Sequence, residues 1–351
     1  AENVTSQSIP PRPPGLPILK PTSPLAWSIK HTGHLAPNSP LKPKMVSEPP
    51  RSETVSGFEL EIRVNQTAER TARPRRSFIF SPGLKPDMFP KALASGTDIV
   101  CIELEDGIAP KDKQQAREHA LALFATPQAD DGIERIVRIN CLRSAFGLAD
   151  VQAVLDTHTP PPGLMLPKVM APDEITWLDD LLNERGHNTR LHVIIETNAA
   201  LESAHKIARA SPRIDALFFG GVDMAAELHC RNAWEPLLYA RSRVVHAAAA
   251  AGVDVIDVPY LNLNDLSGME REARLARELG FSGKGAIHPK QIPILNRVFT
   301  PTETEIVDAR KILQAFEAAD TGLVVVDGKL IEKPVVREMR RILSIAERLP
   351  R

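Results

Sequence analysis

Cysteine is scarce. Cys101, Cys141 and Cys230 are the only three in 351 residues, and none stands at the spacing of a metal-binding motif. A disulfide framework is thereby excluded, and buried free thiols in a reducing compartment are expected. An excess of charge of either sign is also missing. Lys and Arg total 43 against 44 Asp and Glu, a formal net charge of −1, so no overall field recommends a nucleic acid or a membrane as partner. No uninterrupted apolar run approaches the ~20 residues that a membrane helix needs. Over residues 1–73 apolar periodicity is absent too. Twelve of the 31 prolines fall in the first 50 residues, mixed with Ser, Thr and Lys, a composition that favours extended, solvated chain. Glu2 is the one acid before Met45, so two expectations stand: a flexible extension on a cytoplasmic protein, or a mitochondrial transit peptide.

What is present centres on residues 191–223. An apolar run of β-formers ends at Glu196, a helical pattern with Leu201, Ala204, Ile207 and Ala208 on one face follows, and a second apolar run leads to Asp223. A strand–helix–strand unit of this kind lays its strands parallel, with both acidic ends pointing the same way. Two carboxylates brought together at buried strand ends repel each other and lose solvation unless a cation lies between them. Glu196 and Asp223 are therefore read as ligands of a hard divalent ion, Mg²⁺.

Strand patterns also occur at 77–81, 98–106, 135–140, 164–168, 254–258 and 283–288, which makes eight. Helical patterns at 111–124, 173–185, 199–210, 235–251 and 268–279 separate most of them. Eight such alternations over 74–300 predict a (β/α)₈ TIM barrel. An open doubly wound sheet should carry a Gly-rich dinucleotide turn after its first strand, and SPGLK at 81–85 is not one. In the C-terminal piece, 301–351, Thr302 and Glu305 predict a capping box for a helix through Ala319. A hairpin turning at Asp327 and Gly328 follows, then a basic amphipathic helix over 335–349. This helix–hairpin–helix is too small for a core of its own and is expected to pack on the barrel or on a neighbouring subunit.

A barrel of this type works at the carboxyl ends of its strands. The residues predicted there are Glu105, Asp106, Arg138, Asn140, Lys168, Glu196, Asp223 and His288. Glu105 and Asp106 either complete the metal shell, directly or through its waters, or cap the next helix. Arg138 suits an oxyanion or carboxylate beside the metal, the alternative being a buried ion pair with Glu105. Lys168 can be read as a Schiff-base nucleophile, but nothing in the sequence depresses its pKa. His229 has no partner for a metal motif and is read as a loop residue.

With these residues in place, the chain resembles the citrate lyase β-subunit-like family of coenzyme A ester lyases, which includes malyl-CoA and citramalyl-CoA lyases. The motifs that carry the likeness are RSFIFSPG at 76–83, ELED at 103–106, VRIN at 137–140, LPK at 166–168, IET at 195–197 and GGVD at 220–223. YARSR at 239–243, GKGAIHP at 283–289 and DGKLI at 327–331 continue it. The resemblance implies an Mg²⁺-dependent homotrimer or dimer of trimers, with Glu196 and Asp223 on the metal and Arg138 on the reacting oxygens. It implies reversible Claisen-type cleavage of a 3-hydroxyacyl-CoA, and a C-terminal lid that serves a neighbouring subunit. The lid's expected proton carrier is an aspartate; here Glu332 stands in its place, one methylene (about 1.5 Å) longer, a displacement that matters to catalysis. If it is not catalytic, Glu332 should be an exposed charge paired with Lys329 or Lys333. For coenzyme A the expected contacts are Arg76 and Lys85 on phosphates, with Lys284, His288 and Pro289 in the 283–289 loop around the thioester arm. Two other readings remain open: a citrate lyase β subunit acting on a carrier-bound thioester, and an inactive barrel with a binding role.

Overall fold

The computed structural model describes residues 73–319, 322–347 and 349. The expected extension, up to residue 72, lies outside the described residues. Eight parallel strands close into a barrel in sequence order: β1 (Ser77–Pro82), β2 (Ile99–Glu103), β3 (Glu134–Arg138), β4 (Gly163–Leu166), β5 (Arg190–Ile195), β6 (Ile214–Phe219), β7 (Asp254–Asp257) and β8 (Gly283–Ala286). β1 pairs with β8 to complete the ring. The (β/α)₈ expectation holds, and every expected strand is present.

Helices α1 (Met88–Leu93), α2 (Lys113–Ala122), α3 (Ala145–Asp156), α4 (Pro172–Glu184), α5 (Asn198–Ile207), α6 (Gly221–Glu227), α7 (Trp234–Ala251), α8 (Leu266–Leu279) and α9 (Ile292–Phe299) surround the ring. A continuous apolar core fills the space between strands and helices. The residue pattern had not marked α3, α6 and α9. α3 is capped by Ser144, whose Oγ accepts from the Gly147 N–H at 3.0 Å. Gly147 is required because a Cβ there would overlap the Cys141 carbonyl, and the buried Asp150 interrupts the apolar face of this helix.

The barrel interior is layered, because alternate residues of each strand point inward. A middle layer of Phe78, Ile99, Cys101, Ile136, Met165, Ile194, Phe218 and Ile256 is apolar. Its rings meet edge to face, Phe78 and Phe218 at 5.1 Å between centroids. Below it, at the amino ends of the strands, lies an ionic floor. Arg75 donates through Nε to Glu134 at 2.7 Å and through Nη1 to Asp254 at 2.7 Å, and its Nη2 lies 3.3 Å from Asp215. His192, fully buried, has its Nε2 3.2 Å from Glu134.

Beyond the barrel come α10 (Glu303–Ala318), the antiparallel hairpin β9 (Leu323–Val326) and β10 (Lys329–Glu332), and α11 (Lys333–Glu347). The Thr302–Glu305 capping box forms as expected. The turn sits at Asp327 and Gly328, both with positive φ, 50° and 75°. The three cysteines are free, with Cys101 buried in the barrel.

The floor generates a prediction. Replacing Arg75 with methionine takes the guanidinium from Glu134 and Asp254, which should cost about 3–5 kcal/mol of stability. Denaturant unfolding of Arg75→Met against Arg75→Lys tests it; equal midpoints for both variants and the wild type would contradict the assignment.

Candidate active site

The opposite end of the barrel collects the polar residues that follow the strands. Glu196 comes directly after β5 and is 3% exposed. Its Oε1 accepts from the backbone N–H of Lys168 at 2.7 Å. Thr197, the next residue, caps α5 by accepting from Ala200 N–H at 3.0 Å and donates to the Val169 carbonyl at 2.9 Å. The segment carrying Glu196 is therefore tied down on both sides. Asp223 corrects the expectation in detail: it stands not at a strand end but in the first turn of α6, half-buried. Gly220 brings the two acids together. A Cβ at this position would overlap the Glu196 side chain, so the chain leaving β6 passes directly against that carboxylate.

On the other side of the mouth, Arg138 closes β3 and lies over the Phe80 ring, 4.6 Å from its centroid. Its Nε donates to Glu103 Oε2 at 2.5 Å, and its Nη1 is 3.4 Å from Glu105 Oε2. The ion pair with Glu105, set against a functional role for Arg138, is thus the looser of two. Lys168, in the left-handed region at φ 52°, donates through Nζ to Glu105 and, at 2.8 Å, to Asp106. Lys113 reaches up from α2 and donates to the Leu104 and Glu105 carbonyls at 2.8 and 2.6 Å. Asn140 faces away from the mouth and is held by the buried Asp150 at 2.6 Å.

Charge at this end does not balance. Five carboxylates (Glu103, Glu105, Asp106, Glu196, Asp223) meet three cations (Arg138, Lys113, Lys168). Burial, and then the charge of Asp223, push the Glu196 carboxyl up to about 8. Burial also raises Glu105 against the pull of Arg138 and Lys168. Its Oε2 is buried and, apart from the loose approach of Arg138, makes no hydrogen bond among the described residues. Burial opposes the charge on Lys168, but the hydrogen bonds to Asp106 and Glu105 hold its ammonium above the ordinary lysine range. A lysine so held is no Schiff-base nucleophile. An all-oxygen set two charges short of balance, with an orphaned carboxylate oxygen and a carboxyl held far above its usual range, fits a hard divalent cation.

Other expected contacts fall elsewhere. Arg76 precedes β1 at the amino end of the barrel and is forked onto Asp98 at 2.8 Å through both Nε and Nη2. It is a full strand length, roughly 20 Å by the rise of six residues, from the mouth, and so it is no phosphate contact there. Lys284 is also corrected. It is fully buried, pointing outward from β8 and donating to Asp257 at 2.6 Å and Glu272 at 2.7 Å. Lys85, His288 and Pro289 do lie exposed at the carboxyl ends of the neighbouring strands β1 and β8. Glu332 ends β10, exposed, and forms neither of the pairs expected with Lys329 or Lys333. Glu134, His192 and Asp215 have oxygens and a nitrogen close enough to ligate an ion, but this group is the floor, where the Arg75 guanidinium already supplies the cation. Two mouth residues, Glu103 and Phe80, were missed as site residues. Their signal was alternation: both share the inward register of Arg138.

The sequence profile of the HpcH/HpaI aldolase/citrate lyase family matches residues 76–289. An L-malyl-CoA/beta-methylmalyl-CoA lyase of Cereibacter sphaeroides is 33% identical over 306 residues, covering 79% of this chain and 96% of the relative. A citrate lyase subunit beta of Escherichia coli K12 is 33% identical over 291 residues, covering 80% and 95%. Among solved structures, the protein CitE from Mycobacterium tuberculosis in complex with magnesium, acetoacetate and coenzyme A superposes with a TM-score of 0.66 at 28% identity, covering 79% of this chain and 99% of that one. The profile spans well over half of the chain, and both curated relatives are matched over nearly their full length. The chain belongs to the HpcH/HpaI aldolase/citrate lyase family.

Proposed function

We propose that this protein is a Mg²⁺-dependent acyl-CoA lyase that reversibly cleaves a 3-hydroxyacyl-CoA of the malyl-CoA or citramalyl-CoA type into acetyl-CoA and a 2-oxoacid. The observation that carries the reading is the uncompensated pair Glu196 and Asp223 facing the stacked guanidinium of Arg138 across one barrel mouth. Glu196 and Asp223 would hold the ion, with Glu105 and Asp106 beside it. A bound magnesium supplies a Lewis acid at the hydroxyl or keto oxygen and carboxylate of the oxoacid half. Arg138 keeps its Nη groups for the oxygens that gain charge as the carbon–carbon bond parts. Against burial, Lys168 favours the charged form of Asp106 and bonds Glu105. Lys85, His288 and Pro289 line the rim where the coenzyme arm would enter.

The acetyl-CoA enolate needs a proton, and Glu332 is the proposed donor. Strand alternation puts Glu332 on the same hairpin face as Leu323, Val325 and Leu330, which are 52%, 63% and 54% exposed. An apolar face around one carboxyl group suits a lid that closes on a second copy, in a trimer or dimer of trimers. The equal likeness to a citrate lyase β subunit supports a second reading, in which the thioester is borne by an acyl carrier protein. Turnover of free malyl- or citramalyl-CoA by the purified chain decides for the first; turnover only of a carrier-bound citryl thioester decides for the second.

Three outcomes follow. Glu196→Ala should lower kcat by about 10³-fold or more. Because it relieves a buried repulsion, the same change should leave the thermal midpoint without Mg²⁺ unlowered. A variant that keeps its rate, or that unfolds, speaks against the metal role. Secondly, Glu196 must lose its proton to take the ion. Mg²⁺ affinity measured by calorimetry should therefore rise up to tenfold per pH unit on the acid side of about 8 and level off above it. A flat profile from pH 6 to 9 would contradict the pairing with Asp223. Thirdly, Glu332→Gln and Glu196→Ala chains, each inactive alone, should regain part of the activity when unfolded and refolded together if the lid works in trans. No recovery in mixed oligomers would place the lid on its own barrel.

A further inference from the structure

Glu103 lies at the base of the mouth, 5% exposed at the end of β2. Its two oxygens face two donors. Oε2 accepts from Arg138 Nε at 2.5 Å, and Oε1 accepts from the backbone N–H of Glu105 at 2.5 Å. One carboxylate therefore joins the guanidinium of β3 to the loop that carries Glu105 and Asp106. The residue type is set by chemistry. Both partners are donors, so both oxygens must be acceptors. An amide would turn its NH₂ toward one of them. Gly107 packs against this side chain, where a Cβ would lie 3.1 Å from Glu103 Cγ, so the glutamate is also confined from the solvent side. The other constraint on Arg138 is Phe80, whose ring covers one face of the guanidinium. Between them, the carboxylate and the ring leave Arg138 a free edge. Nη2 has no hydrogen bond among the described residues, and the nearest acid to Nη1 is at 3.4 Å.

We propose that Glu103 is the positioning residue of this site: it locks the guanidinium of Arg138 edge-on to the reacting oxygens and registers the Glu105–Asp106 loop against it, without touching substrate or metal. The inference rests on the reading of the mouth as an oxoacid site, and it separates two tasks that one acidic cluster would otherwise confuse. Glu196 and Asp223 serve the ion; Glu103 serves the arginine.

The test is a double-mutant cycle with three readouts. Glu103→Gln should lower kcat by about 10²-fold, with KM and Mg²⁺ affinity changed by no more than about twofold. In an Arg138→Ala background the same change should cost less than about twofold, since there is no longer a guanidinium to position. The third readout needs no turnover. In NMR spectra of the wild-type chain, the Arg138 Nε–H should exchange slowly with water, and in Glu103→Gln it should exchange at the rate of a solvated arginine. If the Nε–H is equally protected in both, or if the full loss of rate persists without Arg138, Glu103 acts through the fold or the metal and the proposal is wrong. A wild type that turns over no thioester would sink the lyase reading, while the exchange measurement would still decide the role of Glu103.

Discussion

Like charge held at close quarters is the condition on which the rest of this structure turns. Glu196 is buried, bonded by the Lys168 backbone, flanked by the threonine that caps α5 and pressed on by Gly220. None of those constraints removes its charge or offers it a counter-ion. Asp223 is delivered to the same place by a helix turn that begins at Gly220. Such an arrangement calls for a proton or a cation, because burial takes solvation from Glu196 and Asp223 adds like charge beside it. The backbone thus keeps two acids where electrostatics alone would part them, and on the proposed reading an ion would find its oxygens already in place.

The two ends of the barrel make the point by contrast. Both carry a cluster of acids, at the floor on the strands and at the mouth mostly on the segments that follow them, separated by the apolar layer around Phe78 and Phe218. At the floor, Arg75 bonds to Glu134 and Asp254 and sits beside Asp215, while Arg190 takes Asp215 at 2.5 Å. The fold itself supplies the counter-ions there, and the cluster does structural work. At the mouth, Arg138 and Lys168 neutralise Glu103, Glu105 and Asp106 in part, and the balance is left open beside Glu196. Proximity of ligand-type side chains alone would have chosen the floor as the metal site. Counting the cations already present reverses that choice.

Much of this was legible in the chain before folding, and what was not has a physical cause. The eight apolar runs are short, β-rich and separated by helical spacing, so the barrel follows from patterning. Glu196 and Arg138 could be placed because each ends a strand of clear polarity. Asp223 was put on a strand because GGVD continues an apolar run, and only the Gly220 contact reveals where that strand stops. Lys284 misled for a related reason. Its flanking glycines suggest a phosphate-binding turn, yet they are strand residues on inward positions: a Cβ on Gly283 would overlap the Arg75 carbonyl, and one on Gly285 would lie 2.6 Å from the Phe78 ring. Alternation then sends Lys284 outward, between helices, to Asp257 and Glu272. Arg76 failed on direction. A residue beside a strand is near the mouth only if it follows the strand, and Arg76 precedes β1. Glu103 was hidden by its neighbours, since in ELED the eye goes to the acid pair at 105 and 106.

The charge count also constrains the order of events. With every group ionised the mouth carries two more negative than positive charges, and a 2-oxoacid or a thioester with a free carboxylate brings at least one more. At about 4 Å and an effective dielectric near 20, each unit pair contributes roughly 4 kcal/mol. Fully ionised, the bare site would oppose an anion even though Arg138 is aimed at it, and below about pH 8 a proton on Glu196 offsets part of that opposition. A divalent ion brings the cluster to neutrality, after which the guanidinium edge left free by Glu103 and Phe80 is an attraction that nothing opposes. On the proposed reading, an ion held by Glu196 and Asp223 would favour the entry of an anion. The arginine's rigidity and a bound ion would then answer different needs: the ion would ease the entry of an anion, and the arginine would set the orientation in which its oxygens are held.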